Sequence, residues 1–186
     1  MWNRAPILVP VIETPRLLLR EWRGGDLDAF AAFSADPATA RFVGGACSRD
    51  EAWRRMAAYA GHWPLRGYGL WAIEEKASGA FVGYSGLWFP EGWPEVELGW
   101  SLVKSAWGRG YATEAARRAR CWAYETLGAR TLISLIDKEN YASWAVADRL
   151  GATYEATLSM RGATLSLYRH PPPERLRALE DAPTDA

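Results

Sequence analysis

Chemistry in this chain starts with the stretch S-A-W-G-R-G-Y-A-T-E-A, residues 105–115. Gly108 and Gly110 stand one residue apart, directly before an alanine-rich helical pattern. Glycine loses much conformational entropy on folding, so a pair at a helix start needs a reason. The first N–H groups of a helix lack internal partners and carry about half a positive charge. Bare glycines let a phosphate reach those amides, and a diphosphate would fit such a nest. Arg109 and Lys104 could add charge, and the hydroxyl of Thr113 could reach a phosphate or cap the helix. The alternative for the glycines is a tight turn with positive φ. Two nucleotide patterns are excluded. A Walker A loop ends in G-K-[S/T], and here the sequence runs G-R-G-Y. A dinucleotide fingerprint needs a third glycine, which is missing.

A second group of residues could move a proton. Glu97 lies in E-V-E-L-G-W-S-L-V-K (95–104), which alternates cleanly. Val96, Leu98, Trp100 and Leu102 share one face, and Glu95, Glu97, Gly99 and Ser101 the other. A carboxylate on a strand facing a cleft can take a proton from an amine. Nearby Trp88, Phe89 and Trp100 would raise its pKa by lowering the local polarity. A solvated strand carboxylate is the alternative, and Glu95 is the same-face competitor.

Composition narrows the classes. The chain has 186 residues, 49% apolar and 24% charged, which suits one soluble domain with a sizeable core. Lys plus Arg and Asp plus Glu number 22 each, so no basic excess points to nucleic acid or an anionic membrane. Cys47 and Cys121 form no C-x-x-C pair, which fits idle thiols in a reducing compartment. His62 and His170 are the only histidines, so no zinc-ligand spacing exists and no metal is expected. The N-terminus lacks a signal peptide's apolar stretch, and no run is long enough to span a membrane. A cytoplasmic protein is expected.

The elements that must position these groups follow from period and punctuation. Ile12 to Trp22 reads as one strand, with Pro15 near its start. Gly24, Gly25 and Asp26 open a short helix carrying Leu27, Phe30 and Phe33, and Pro37 follows its end. Ser48 and Glu51 form a capping box. The helix they open places Trp53, Met56, Ala57, Ala60 and Trp63 on one side, and Pro64 and Gly67 stop it. Two strands, 68–76 and 80–89, form a hairpin around A-S-G. After the third strand and the glycines, a helix runs from about Gly110 to Leu127. Its inner stripe is Ala112, Ala115, Ala116, Ala119, Trp122 and Ala123, with Arg117, Arg118 and Arg120 on a solvated face. Gly128 is its C-cap. A short strand (131–136), a helix from Asn140 to Gly151 and two final strands (153–159 and 163–169) follow. From Glu174 the chain reads as a charged tail, partly helical and mobile.

This order of elements resembles the GNAT superfamily of acetyl-CoA-dependent N-acetyltransferases. The closest branch includes the ribosomal-protein N-terminal acetyltransferases. Three stretches carry the resemblance: E-T-P-R-L-L-L-R-E-W, then E-L-G-W-S-L-V-K-S-A-W-G-R-G-Y-A-T-E-A, then N-Y-A-S-W-A-V-A-D-R-L-G-A. The middle one is similar to the family's fourth strand and its Q/R-x-x-G-x-G/A pyrophosphate loop, with Ser105 in place of Gln or Arg. The likeness implies an α/β (α+β) fold: a mixed, mostly antiparallel sheet of about six to seven strands, splayed at the fourth and flanked by about four helices. It implies domain bounds of 12–170, with an N-terminal extension (1–11) and a C-terminal tail (171–186).

The resemblance also assigns roles. Acetyl-CoA is the co-substrate. Trp107, Gly108, Arg109, Gly110, Tyr111, Ala112 and Thr113 would hold its pyrophosphate, and Leu102 and Val103 would offer main-chain groups to the pantetheine arm. Asn140 would contact the arm, as well as being a good N-cap. Glu97 would be the general base. Ser143 would assist the leaving thiolate, with Tyr141 the alternative phenol and a packing or back-bonding role its competitor. Trp88, Phe89 and Trp100 would bind the acceptor, and Trp53, Trp63, Tyr68 and Trp93 either join that wall or belong to the core. The expected reaction is direct transfer of an acetyl group to a primary amine in a ternary complex. The amine belongs to a protein N-terminus or a small molecule, and the chain is a monomer or homodimer. A non-catalytic acyl-CoA-binding module is the alternative; a nucleotide hydrolase is disfavoured by the missing P-loop lysine.

Overall fold

The computed structural model describes residues 8–160 and 162–180. Its centre is one sheet of eight strands, one more than the upper expectation. The extra strand comes from the first segment. Ile12 to Trp22 is a tight hairpin: β1 (Ile12–Glu13) turns back into β2 (Leu17–Arg20), with Ile12 opposite Leu19. Pro15 sits in the turn, where its fixed φ fits and its missing N–H does no harm. The Thr14 side chain closes that turn, accepting from Leu17 N at 2.9 Å.

β2 leads to α1 (Leu27–Ala35) through a buried ion cluster. The Arg20 guanidinium meets Asp26 at 2.8 and 2.7 Å and Glu74 at 2.7 Å, with Arg20 and Asp26 both buried. Asp26 also accepts from Arg23 N at 2.8 Å, fixing the start of α1. Removing one partner of a buried pair strands the other charge. Asp26→Asn is therefore expected to lower unfolding free energy by about 3 kcal/mol in a denaturant titration.

Asp36 then caps a one-turn helix, α2 (Pro37–Ala40), which begins at the proline expected to end α1. In α3 (Arg49–Arg66) the Ser48–Glu51 capping box forms as expected. Pro64 does not stop α3. It sits in the last turn, and the helix ends at Gly67, whose φ is +79°. The inner stripe is also rotated from the expected one. Ala52, Met56 and Trp63 are buried, whereas Trp53 is 54% exposed and Ala57 and Ala60 face solvent. The small Ala52 lets α3 lie close to its neighbours, and that outweighs burying a tryptophan.

β3 (Leu70–Glu75) and β4 (Phe81–Trp88) make the expected hairpin, and β4 pairs with β5 (Glu97–Leu102). α4 (Tyr111–Thr126) follows, then β6 (Ile133–Asp137), α5 (Tyr141–Arg149), β7 (Thr153–Met160) and β8 (Ala163–Arg169). The sheet order is β1-β2-β3-β4-β5-β6-β8-β7, antiparallel except for β5 and β6. α4 packs on one face through Ala115, Ala116, Ala119 and Ala123, each 0% exposed. Beside it Trp63, Trp71 and Trp122 meet edge to face, with centroids 4.7 and 5.0 Å apart along the chain of rings. Phe30, Phe33, Met56 and Tyr84 fill the other face under α1 and α3.

Arg120 is not on a solvated face with Arg117 and Arg118. It is 4% exposed and donates to Leu150 O at the end of α5. It falls one helical turn beyond Ala116, so the stripe itself carries it inward. The expected tail begins as a helix, α6 (Pro173–Glu180). The rest of that tail, Arg161 and the first seven residues of the expected extension lie outside the described residues. Among the described residues no helix is long and apolar enough to cross a membrane.

Candidate active site

The parity of β5 decides what it can offer. Val103 N donates to Val82 O at 3.0 Å, the next step of the β4–β5 register. Hydrogen-bonded pairs alternate along an antiparallel ladder. Glu97, Gly99 and Ser101 thus turn their main-chain groups to β4, and Leu98, Trp100 and Leu102 turn theirs to the other side. There the only β6 register pair is Glu97 with Ile133, supported by Ile133 N donating to Val96 O at 3.1 Å. Past it β5 and β6 share no further register pair, while β6 stays paired with β8 from Ile133 to Asp137. The main-chain edge at Trp100 and the Leu102 N–H are left facing a gap. The Leu102 carbonyl is taken by the Trp107 indole at 2.8 Å.

The gap opens into a cleft of about 1300 Å³ between the end of β5, the start of α4 and α5. The helix start is built as the glycines suggested. Gly108 and Gly110 have φ of +72° and +79°, and Gly110 is the N-cap residue of α4 with no side chain capping it. Trp100, Leu102, Trp107, Gly108, Gly110, Tyr111, Ala112, Thr113, Asn140 and Ser143 all line the cleft. Two expected cofactor residues do not. Val103 spends its N–H on Val82 O and its carbonyl on Ala106 N. The Arg109 side chain turns outward to Glu75, 2.7 Å away, and lies over the Tyr111 ring. Lys104 sits in the 3-10 turn before Trp107, also outside the cleft lining.

A cation that sequence reading missed stands at the loop instead. Arg16, from the β1–β2 turn, donates to Arg109 O at 2.8 Å and pairs with Glu114 at 2.6 Å. A Cβ built on Gly110 would meet its Nη2 at 3.4 Å. Nothing local in the sequence links residues this far apart.

On α5, Asn140 is the N-cap: its Oδ1 accepts from Ser143 N at 3.2 Å. Among the described residues no protein group bonds its amide nitrogen. Tyr141 also borders the cleft but is 69% exposed and packs edge-on against Trp144.

Glu97 lies at the vertex where β5 and β6 part, on the face of β5 opposite Trp100, and is not part of the cleft lining itself. It is partly buried. Its Oε2 accepts from Trp93 Nε1 at 2.6 Å and its Oε1 from Leu135 N at 3.4 Å. Burial outweighs both hydrogen bonds and pushes its pKa up to about 7. Glu95 has the opposite fate. Arg169 grips it at 2.8 and 2.7 Å, and that hydrogen-bonded guanidinium holds its carboxyl below the usual range. Of the two candidates, only Glu97 is poised to exchange a proton near neutrality.

The expected aromatic wall is divided. Trp88 stands opposite Glu97 in register, stacks on His62 at 4.7 Å and meets Tyr59 edge-on. Phe89 donates its N–H to His62 Nε2 at 3.1 Å and lies under Arg66. Neither lines the large cleft, whereas Trp100 does. Trp63 is core, Trp53 points outward, and Tyr68 packs against the core with its carbonyl held by His62. Trp93 serves as the hydrogen-bond donor to Glu97.

Comparison with known proteins agrees with this architecture. The family model described as "Acetyltransferase (GNAT) domain" matches residues 16–153. YkkB of Bacillus subtilis (strain 168) is 33% identical over 108 residues, which is 55% of this chain and 62% of YkkB, so the match spans less than two thirds of that protein. The crystal structure of the acetyltransferase from Agrobacterium tumefaciens str. C58 superposes with a TM-score of 0.80 at 34% identity, covering 90% of this chain and 98% of that one. RimL, a ribosomal-protein α-N-acetyltransferase solved with coenzyme A, shares the fold at 19% identity and a TM-score of 0.71, covering 87% of this chain and 97% of that one.

Proposed function

Because this chain belongs to the GNAT acetyltransferase domain family, we propose that it transfers an acetyl group from acetyl-CoA to a primary amine by direct attack in a ternary complex. One observation carries the reading. The uncapped, glycine-led start of α4 and the unpaired edge of β5 open onto the same cleft, so one extended anionic ligand could use both. The fit is chemical as well as spatial. The amides from Gly110 to Thr113, the helix dipole and Arg16 suit a diphosphate. The Trp100 and Leu102 edge suits an amide-bearing arm, which would add to β5 as a short strand does, with the Asn140 amide nitrogen beside it.

In this reading Glu97, which stands outside the cleft lining, takes a proton through water from the ammonium form of the acceptor. The freed amine attacks the thioester carbonyl, the C–N bond forms, and main-chain donors on the β5 edge stabilise the oxyanion. The C–S bond then breaks. The nitrogen gives up its surplus proton, the thiolate takes one up, and Ser143, on the cleft wall next to Asn140, supplies the hydrogen bond to that thiolate in preference to the exposed Tyr141. The acceptor is a protein N-terminus or a small amine. The transferase unit spans 12–170, acts in the cytoplasm and works as a monomer or homodimer.

The test is thiol release from acetyl-CoA over a panel of amines and N-terminal peptides, paired with calorimetric titration of acetyl-CoA. Binding with amine-dependent thiol release supports the reading. Binding without release over the whole panel favours a non-catalytic acyl-CoA module. No binding sinks both.

Asn140 offers a narrower check. Ser caps helices about as well as Asn. Asn140→Ser should leave the melting temperature within about 2 °C while weakening acetyl-CoA several-fold. An unchanged dissociation constant would leave Asn140 with its cap alone.

A further inference from the structure

We propose that Ser134 and His170 are positioning residues for Glu97, forming a buried relay that holds the point where β5 and β6 part. The inference rests on the reading of Glu97 as the base and deepens it. Ser134, on β6, is 2% exposed and His170, just past β8, is 0% exposed. Ser134 Oγ donates to Leu98 O at 2.6 Å and lies 2.9 Å from His170 Nε2. A serine has one hydroxyl hydrogen, and a carbonyl can only accept. Ser134 gives its proton to Leu98 O, so His170 Nε2 must be the N–H that donates to Ser134. The other ring nitrogen, Nδ1, is then bare. Like a few other buried side-chain atoms among the described residues, it has no hydrogen-bond partner.

The two ends of the relay flank Glu97. Leu98, the residue after Glu97, is held through its carbonyl. Leu135, the residue after Ser134, gives its N–H to Glu97 Oε1 at 3.4 Å. The Ser134 bond thus sets the spacing of β5 and β6 where their ladder ends, and with it the reach of the Leu135 amide. His170 N is itself fixed to Leu132 O at 2.9 Å.

The groups around the cluster keep its titration readable. Facing Glu97 are the Trp93 indole, Tyr59 from α3 and Tyr84 from β4, and Cys47 sits beyond Tyr59. Burial pushes both tyrosines up, so they stay neutral. Facing His170 are Ser134 and the Arg120 guanidinium from α4. Burial and that cation hold the imidazole down to about 3, so it remains a neutral donor at any working pH.

The experiment titrates side-chain carboxyls in the full chain labelled with 13C-glutamate, with Glu97→Gln assigning the signal. Ser134→Ala and the near-isosteric Ser134→Cys lose the strong donor. Ser134→Thr keeps the hydroxyl, and His170→Gln keeps an N–H near Nε2. Losing the Leu135 hydrogen bond removes support for the charged carboxylate, so its titration should move upward. The expected shift is about half a unit or more in Ser134→Ala and Ser134→Cys, with recovery in Ser134→Thr and His170→Gln. The acid limb of kcat/KM should move with it, and acetyl-CoA affinity should stay within about twofold. An unmoved Glu97 titration in folded Ser134→Cys overturns the relay, whatever happens to the rate. A titration that moves while the acid limb stays put leaves the relay standing and overturns Glu97 as base.

Discussion

Gly110→Asp is expected to abolish acetyl-CoA binding and leave the fold intact. Gly110 is the N-cap residue of α4 at φ +79°. Asp tolerates that region better than most residues and is a good helix N-cap, so stability should fall by no more than about 1–2 kcal/mol. A Cβ there would meet the flexible end of Arg16 at 3.4 Å, a neighbour that can yield or pair with the new carboxylate. For a diphosphate the change is severe. It places a carboxylate beside the amides meant for the phosphate, and draws Arg16 away from it. Like charges about 4 Å apart repel by roughly 4 kcal/mol at a surface-like dielectric. The dissociation constant should therefore rise by about a thousandfold, read by calorimetry with circular dichroism as the fold control. Wild-type affinity in the variant would remove the diphosphate from this loop and leave the glycines as a turn.

Gly110 was legible in sequence because its cause is local. A helix start, the need for positive φ and a missing side-chain cap all fall within a few residues. The same holds for the Ser48–Glu51 box, the alternation of β5 and the Asn140 cap. What sequence reading missed is set by distant partners. Arg109 and Arg16 are both arginines near the loop in space, yet only Arg16 reaches the cleft, because Glu75 draws Arg109 to the other side. Val103 alternates into the ladder because of where Val82 lies, not because of its own type. Trp93 could be read only as an aromatic, and its meaning comes from Glu97 four residues on. Ser134 and His170 give no motif at all, since a strand order of β5-β6-β8 brings them together. Burial failed in the same way for Trp53 and Arg120. Hydrophobicity and charge predicted their sides, while the small residues on the helix, which decide how close it packs, set the real ones.

Glu97→Gln should reduce kcat/KM and at the same time stabilise the protein, and the combination is what separates a base from a bystander. The Glu97 pKa rises from its ordinary 4.5 to about 7 because burial disfavours the charge. Its folded form holds a proton that its unfolded form has lost between those values. Stability therefore falls as pH rises from 4.5 to 7, and the full penalty, on the order of 3 kcal/mol, is present above it. Glutamine carries no charge and can still accept from the Trp93 indole. The variant should thus melt higher than wild type at pH about 8 and match it at pH about 4. Activity should move the other way. Loss of a positioned general base lowers the rate by about 10²–10⁴-fold. In the wild type, kcat/KM should fall tenfold per unit as pH drops below about 7, where the carboxylate takes up its proton. In the variant that limb should vanish, leaving the acceptor amine's own ionisation. A variant that gains stability at pH about 8 yet keeps the wild-type rate and acid limb would mark Glu97 as a buried acid without a catalytic task. A variant that loses rate with no gain in stability would mean the carboxylate is not desolvated as its surroundings imply, and its proton exchange near neutrality would need another cause.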